Sequence, residues 1–120
     1  MLPKKHRLSA KEFPLLYKNG FKSKGEYGML VCLGNNTSST LFGFVVSKKI
    51  GNSVKRHRMT RLLRAISMEL VKERNLEGFS FQYVAFKFCN DYKTLKEEFT
   101  KQLDNCLKNQ QGEKNNIVSN

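Results

Sequence analysis

Residues 43–64 read GFVVSKKIGNSVKRHRMTRLLR, and the pattern changes partway along. Up to Ser47 the run is rich in β-formers. Gly51-Asn52-Ser53 then breaks the strand and supplies a helix cap. From Ser53 to about Arg74 the apolar residues recur at helical spacing. On a helical wheel Met59, Leu62, Leu63, Ile66 and Leu70 gather within about 100° of arc, the width of a core-facing stripe. His57, Arg58, Arg61 and Arg64 occupy the other side. The segment therefore reads as strand, turn and helix, the helix having one buried face and one guanidinium face.

That guanidinium face is part of a wider asymmetry. The chain has 120 residues and a formal net charge of +12. Residues 47–64 carry seven Lys and Arg and no acid, and residues 1–24 carry seven against Glu12 alone. From residue 65 onward eight basic and eight acidic residues cancel, so the whole excess lies in the first 64 positions. One-sided basicity implies a polyanionic partner, with nucleic acid ahead of a membrane surface. Arg58, Arg61 and Arg64 are spaced so that their heads are neighbours, which repel unless an anion lies between them. Arginine also pairs bidentately with phosphate and stacks on bases, where lysine acts as a point charge. Around the Gly51-Asn52-Ser53 turn, Lys48, Lys49, Lys55 and Arg56 surround the positive end of the helix.

The rest of the chain fills out one α+β domain. Ser9-Ala-Lys-Glu12 fits a capping box with Leu8 placed to staple onto Phe13, and Phe13, Leu16 and Tyr17 continue at helical spacing to a stop at Gly20. Pro14 sits awkwardly in that helix and either removes a hydrogen bond or shifts its start. Tyr27–Leu33 and Leu41–Ser47, separated by Gly-Asn-Asn-Thr-Ser-Ser, read as an antiparallel hairpin. Phe79–Phe88 alternates as a strand with Phe79, Phe81, Tyr83 and Ala85 on one side. Asn90 or Asp91 caps a last helix with the stripe Tyr92, Leu95, Phe99, Leu103 and Cys106. The expected order is α-β-β-α-β-α, with one more short strand near residues 21–25: a single-domain α-β sandwich with a small, mostly antiparallel sheet against the Arg-rich helix. The domain is expected over residues 1–108, with 109–120 a polar, frayed tail.

Other chemistries find little support. There is no HExxH, P-loop, GxGxxG or paired-carboxylate motif, and no small-molecule substrate is suggested. Cys32, Cys89 and Cys106 lack metal-ligand spacing and read as reduced, buried thiols. No apolar run approaches a membrane span and the N-terminus lacks a signal h-region, so a cytoplasmic protein is expected. His57 has no partner carboxylate nearby and reads as a contact or spacer. Phe13 and Tyr17, one turn apart among Lys4, Lys5, Arg7, Lys11 and Lys18, suit either the core or the stacking of single-stranded bases.

The block GFVVSKKIGNSVKRHRMTRLLR closely resembles the signature of the protein subunit of bacterial ribonuclease P, and Arg7-Leu8, Phe13, Tyr17, Gly20 and Tyr83-Val-Ala-Phe-Lys87 follow the same family's spacing. The resemblance spans about residues 4–107. It implies a fold similar to the second domain of ribosomal protein S5. It also implies assembly with a catalytic RNA, which removes the 5′ leader of precursor tRNA using magnesium held by the RNA. No catalytic residue and no metal site are implied on the protein. By the same resemblance Arg56, His57, Arg58, Arg61 and Arg64 contact the RNA subunit, while Phe13, Tyr17, Lys48, Lys49 and Lys87 line the leader cleft. Val31 falls where the family often has a cleft aromatic. His57, Thr60 and Phe86 replace the family's usual Asn, Lys and Arg, and Pro14 is unexpected. A non-catalytic RNA-binding or ribosome-associated protein is the alternative, and a membrane-surface module fits poorly because the helix's apolar stripe is a core seam.

Overall fold

Three helices and four strands follow one another in the computed structural model, which describes the backbone of residues 6–119 and the side chains of residues 6–109. The order is α1 (Glu12–Asn19), β1 (Phe21–Lys24), β2 (Gly28–Gly34), β3 (Leu41–Val45), a 3-10 turn (Lys48–Ile50), α2 (Ser53–Glu73), β4 (Phe79–Ala85) and α3 (Tyr92–Ser119). The extra short strand expected near residues 21–25 is β1. The backbone of α3 stays helical through Ser119, across the stretch expected to fray, although side chains beyond residue 109 lie outside the described set.

The strands form one sheet in the order β1-β2-β4-β3. β2 pairs antiparallel with β1 and β4, and β3 pairs parallel with β4. This corrects the expected hairpin, because β4 lies between the two strands that were to form it. The polar cluster does turn the chain. Asn35 Oδ1 accepts the Thr37 N–H at 3.0 Å, and Asn36 takes a positive φ of 58°. Yet the turn bonds to the loop before β4, with Asn35 N–H donating to Gly78 O at 2.8 Å and Gly78 N–H to Ser39 O at 3.1 Å. It thus reverses the chain across two strand widths and leaves a slot for β4.

Strand alternation sorts side chains onto two faces. Leu30, Cys32, Phe42, Phe81, Tyr83 and Ala85 face α2 and α3, meeting Met59, Leu63, Ile66 and Leu70 from one helix and Leu95, Phe99, Leu103 and Cys106 from the other. Phe42 stacks on Phe81 with centroids 5.1 Å apart, and Tyr83 on Phe99 at 5.4 Å, pairs worth about 0.5–1.5 kcal/mol each beyond area burial. The three cysteines are buried, as expected. On the opposite face Leu8, Leu16, Met29 and Val31 form a smaller cluster, joined by partly buried Phe13, Leu33, Leu41 and Val84. Among the described residues, α1 and the segment carrying Leu8 just before it cover this second face.

The start of α1 differs from the capping-box expectation. The Ser9 hydroxyl donates to the Glu12 carboxylate at 3.0 Å rather than accepting a backbone N–H, and the helix begins at Glu12 with Lys11 at the cap position. Pro14 accounts for the shift. At the third helical position its missing N–H is one that the first turn leaves unpaired anyway, so starting at Glu12 accommodates the ring at no cost in hydrogen bonds.

Candidate functional site

α2 is set by its cap and its stripe. Asn52 Oδ1 accepts the Lys55 N–H at 3.0 Å, and Gly51, at φ 149°, holds a backbone conformation that side chains resist. Met59, Leu63, Ile66, Ser67 and Leu70 are buried, which fixes the rotation of the helix and turns its arginines outward. The basic residues do not form one even row. Arg56, His57, Thr60 and Arg64 line a groove of about 260 Å³ with Val46 and Ser53, beside the exit of β3. Arg61 and Arg64 line a second, of about 320 Å³, with Ala65 and Met68. Arg64 belongs to both. Arg58 is exposed on the far flank and enters neither. Arg56 is half-buried at the edge of the core stripe, with its Nε buried and without a partner among the described residues. Thr60 turns its hydroxyl onto the Arg56 carbonyl at 2.7 Å, so it contributes no free donor to the groove.

The second candidate surface is built by α1 crossing the sheet. Gly43, Gln82, Val31 and Lys22 are successive register partners and form one row across all four strands. α1 lies along it. The Phe13 ring rests on Gly43, where an added Cβ would lie 2.7 Å from Phe13 Cε1, and the Lys22 ammonium sits 4.9 Å from the centre of the Tyr17 ring. The next row, Val45, Val84, Met29 and Lys24, runs alongside the helix toward the end of the sheet that carries Lys48 and Lys49. Met29 is buried in this row, Val45 and Val84 are half-buried and Lys24 is exposed, so α1 borders a partly open strip of sheet that ends in lysines.

The residues expected to share a cleft are only partly brought together. Phe13 and Tyr17 are, both on the sheet-facing side of α1, with Phe13 half-buried and Tyr17 exposed. Lys48 and Lys49 are exposed on the turn that follows β3. Lys87 is otherwise engaged: its ammonium pairs with Glu26 at 2.9 Å and lies 5.3 Å from the centre of the Tyr27 ring. The hydrogen bond to Glu26 and the charge behind it raise the Lys87 pKa, so the ammonium stays charged but partnered. Val31 is fully buried beneath α1, so an aromatic there would not have stood at an open surface as that side chain is now placed. Sequence reasoning passed over Gly43 as the seat of Phe13, and Lys22 and Lys24 as the cations on the adjoining edge. Their signal was present in the 21–25 strand, whose even-numbered residues share a face with Val31 and Met29. Lys4 and Lys5 lie outside the described residues.

Among the described residues no three His, Cys, Asp or Glu side chains gather to hold a metal ion, and no helix is long and apolar enough to cross a membrane. What remains is a basic α/β sandwich that presents an arginine helix and a lysine-edged strip of sheet to a polyanion.

Comparison with known proteins identifies the family and the fold. The family model "Ribonuclease P" matches residues 2–111. The chain is 31% identical over 112 residues to the ribonuclease P protein component of Helicobacter acinonychis, covering 77% of this chain and 71% of that one. It is 32% identical over 88 residues to that of Pelotomaculum thermopropionicum, covering 73% and 78%. A match to the Lachnoclostridium phytofermentans component is 41% identical over 56 residues but spans only about half of either chain, 47% and 48%. In fold, the ribonuclease P protein of Thermotoga maritima superposes with a TM-score of 0.71 over 80% of this chain and 93% of that one at 23% identity. That of Staphylococcus aureus gives 0.63 over 88% and 94% at 20% identity. The chain belongs to the ribonuclease P protein family, the protein components of a ribonucleoprotein endoribonuclease, and its partner is accordingly RNA.

Proposed function

We propose that this chain docks on the catalytic RNA of ribonuclease P through α2 and guides the single-stranded 5′ leader of precursor tRNA along the strip of sheet beside α1. The observation that carries the reading is the outward face of α2, where Arg58, Arg61 and Arg64 project from a helix whose other side is locked into the core, with no acid between residues 47 and 64. Phosphates placed there bring the charges together and release counterions. Phe13 and Tyr17 offer ring edges or faces to leader bases, and Lys48 and Lys49 offer point charges to its phosphates. Lys87 belongs to the leader surface only if the RNA displaces Glu26 from its ammonium. In this reading magnesium is held by the RNA and performs the hydrolysis there, while the protein's residues bind and orient and none transfers a proton.

Cleavage of a precursor tRNA carrying a 5′ leader, by a ribonuclease P RNA at limiting magnesium, tests the proposal. Added protein should restore cleavage and produce the mature 5′ end. Failure to stimulate either a standard bacterial RNA or the RNA from the same genome would leave an RNA-binding protein of another role.

A further inference from the structure

Besides Phe13, which rests on Gly43, four aromatic rings lie at or near the basic surfaces, and three already have an ammonium group over them. Lys22 covers Tyr17 at 4.9 Å, Lys87 covers Tyr27 at 5.3 Å, and Lys55 covers Phe88 at 5.6 Å from the ring centre. The fourth, Phe86, has no ring or cation partner among the described residues and is 37% exposed. Its backbone is nevertheless held, because the Phe86 N–H donates to Tyr27 O at 2.7 Å and so extends the pairing of β4 with β2 beyond Ala85. A large apolar ring held on an ordered strand end, with water against it, gains by being covered.

The surroundings favour one kind of cover. Phe86 lies two residues past Val84, whose register partner Val45 is followed closely by Lys48 and Lys49, so the ring stands at the end of the sheet where those two lysines are exposed. Lys55 over Phe88 ties the first turn of α2 to the same corner. Two carboxylates stand at the neighbouring turn: Glu26 is paired with Lys87 at 2.9 Å, and Glu98 accepts the N–H groups of Glu26 and Tyr27. An exposed apolar ring, with two lysines unpaired among the described residues at the same end of the sheet, suits a nucleotide: a flat base for the ring and a phosphate for the ammonium groups.

We propose that Phe86 is a stacking platform for one unpaired nucleobase, with Lys48 and Lys49 holding the flanking phosphates. The site rests on the reading of the chain as an RNA-binding subunit and adds to it a specific base contact outside α1. The base can come from the leader of precursor tRNA or from an unpaired nucleotide of the RNA subunit, since both present the same chemistry.

The assembled ribonucleoprotein, with 2-aminopurine placed singly along the leader in one series and at unpaired positions of the RNA subunit in another, separates these sources. The protein contains no Trp, so its own emission does not interfere. One position in one series should be quenched on assembly with the wild-type protein. Phe86→Leu, which keeps apolar bulk but no aromatic face, should abolish that quenching and weaken binding about fivefold to tenfold at the low end of what a stacked base contributes, while Phe86→Tyr retains both. Quenching and affinity unchanged in Phe86→Leu would overturn the platform while leaving the function intact. A wild-type protein that binds neither RNA would overturn the function and the platform together. Unchanged thermal melting of Phe86→Leu establishes that the loss is local.

Discussion

The ring of Phe13 occupies the space that a side chain on Gly43 would need. A Cβ there would lie 2.7 Å from Phe13 Cε1 and 3.0 Å from Leu8 Cδ2, so the aromatic ring can lie against the sheet only because β3 has a bare backbone at that point. Gly43→Ala should push Phe13 out of its seat. The cost in stability should be about 1–3 kcal/mol, the range for overpacking, measured by urea unfolding. In binding assays the variant should lose discrimination between precursor and mature tRNA as Phe13→Ala does, and the double variant should lose no more than either alone. Additive losses would mean that the two residues act separately.

Arg64 borders both grooves on α2 and Arg58 borders neither. Arg64→Ala should therefore weaken binding to the RNA subunit more than Arg58→Ala. Each phosphate contact removed should flatten the plot of log affinity against log salt by about 0.9 for duplex or about 0.7 for single-stranded contacts. Titrations at several salt concentrations read both quantities. Equal slopes for wild type and Arg64→Ala would show that Arg64 touches no phosphate.

Tyr83 is a buried phenol whose hydroxyl has no partner among the described residues, although its ring stacks on Phe99. Burial, reinforced by the charges of Glu98 and Cys89, raises its pKa well above the ordinary 10.0. The unfolded phenol ionises near that ordinary value while the folded one does not. Its contribution to stability is therefore present below about pH 10 and is lost as pH rises above it, by up to about 1.4 kcal/mol per pH unit. Tyr83→Phe should be neutral or slightly stabilising at pH 8 and should gain on the wild type at pH 11, as compared by urea midpoints. An advantage that stays the same at both pH values would rule out this linkage.

Glu98 reaches from α3 to the β1–β2 turn, where its carboxylate accepts the N–H of Glu26 and, at 3.0 Å, that of Tyr27. Glu98→Ala leaves both donors without that acceptor in a half-buried turn and should cost about 1–3 kcal/mol. Hydrogen exchange at the Glu26 and Tyr27 amides should accelerate. Because Glu26 orients Lys87, the Lys87–Glu26 pair at 2.9 Å should loosen as well.

Where an element's identity lay in its own periodicity, it was legible in the sequence. Of the expected stripes, Met59, Leu63, Ile66 and Leu70 of α2, Leu95, Phe99, Leu103 and Cys106 of α3, and Phe81, Tyr83 and Ala85 of β4 are buried in the core, while Leu62, Tyr92 and Phe79 are partly buried at its margin. Strand order was not legible. Residues 35–40 carry every local mark of a hairpin turn, and nothing within them shows that Gly78, about forty positions on, binds that turn and opens it to admit another strand. The candidate site divides the same way. The outward arginines of α2 follow from the helix period, whereas Lys87 was assigned without sight of Glu26, 61 residues earlier in the chain yet 2.9 Å away in space. Likewise the cover of Lys22 over Tyr17 depends on β1 running back beneath α1, which spacing alone does not reveal.

The central position of β4 also sets an order of events during synthesis. Until residues 79–85 have been made, β1 and β2 can pair only with each other, and β3 has no strand neighbour among β1, β2 and β4. By then the whole acid-free segment 47–64 has been translated, ahead of the strand that joins the two halves of the sheet. Closing the sheet late through contacts distant in sequence is slow relative to local helix formation. Because α2 packs against α3 and β3, its apolar side is buried, and its arginines are committed to a single surface, only once the last helix has joined the closed sheet.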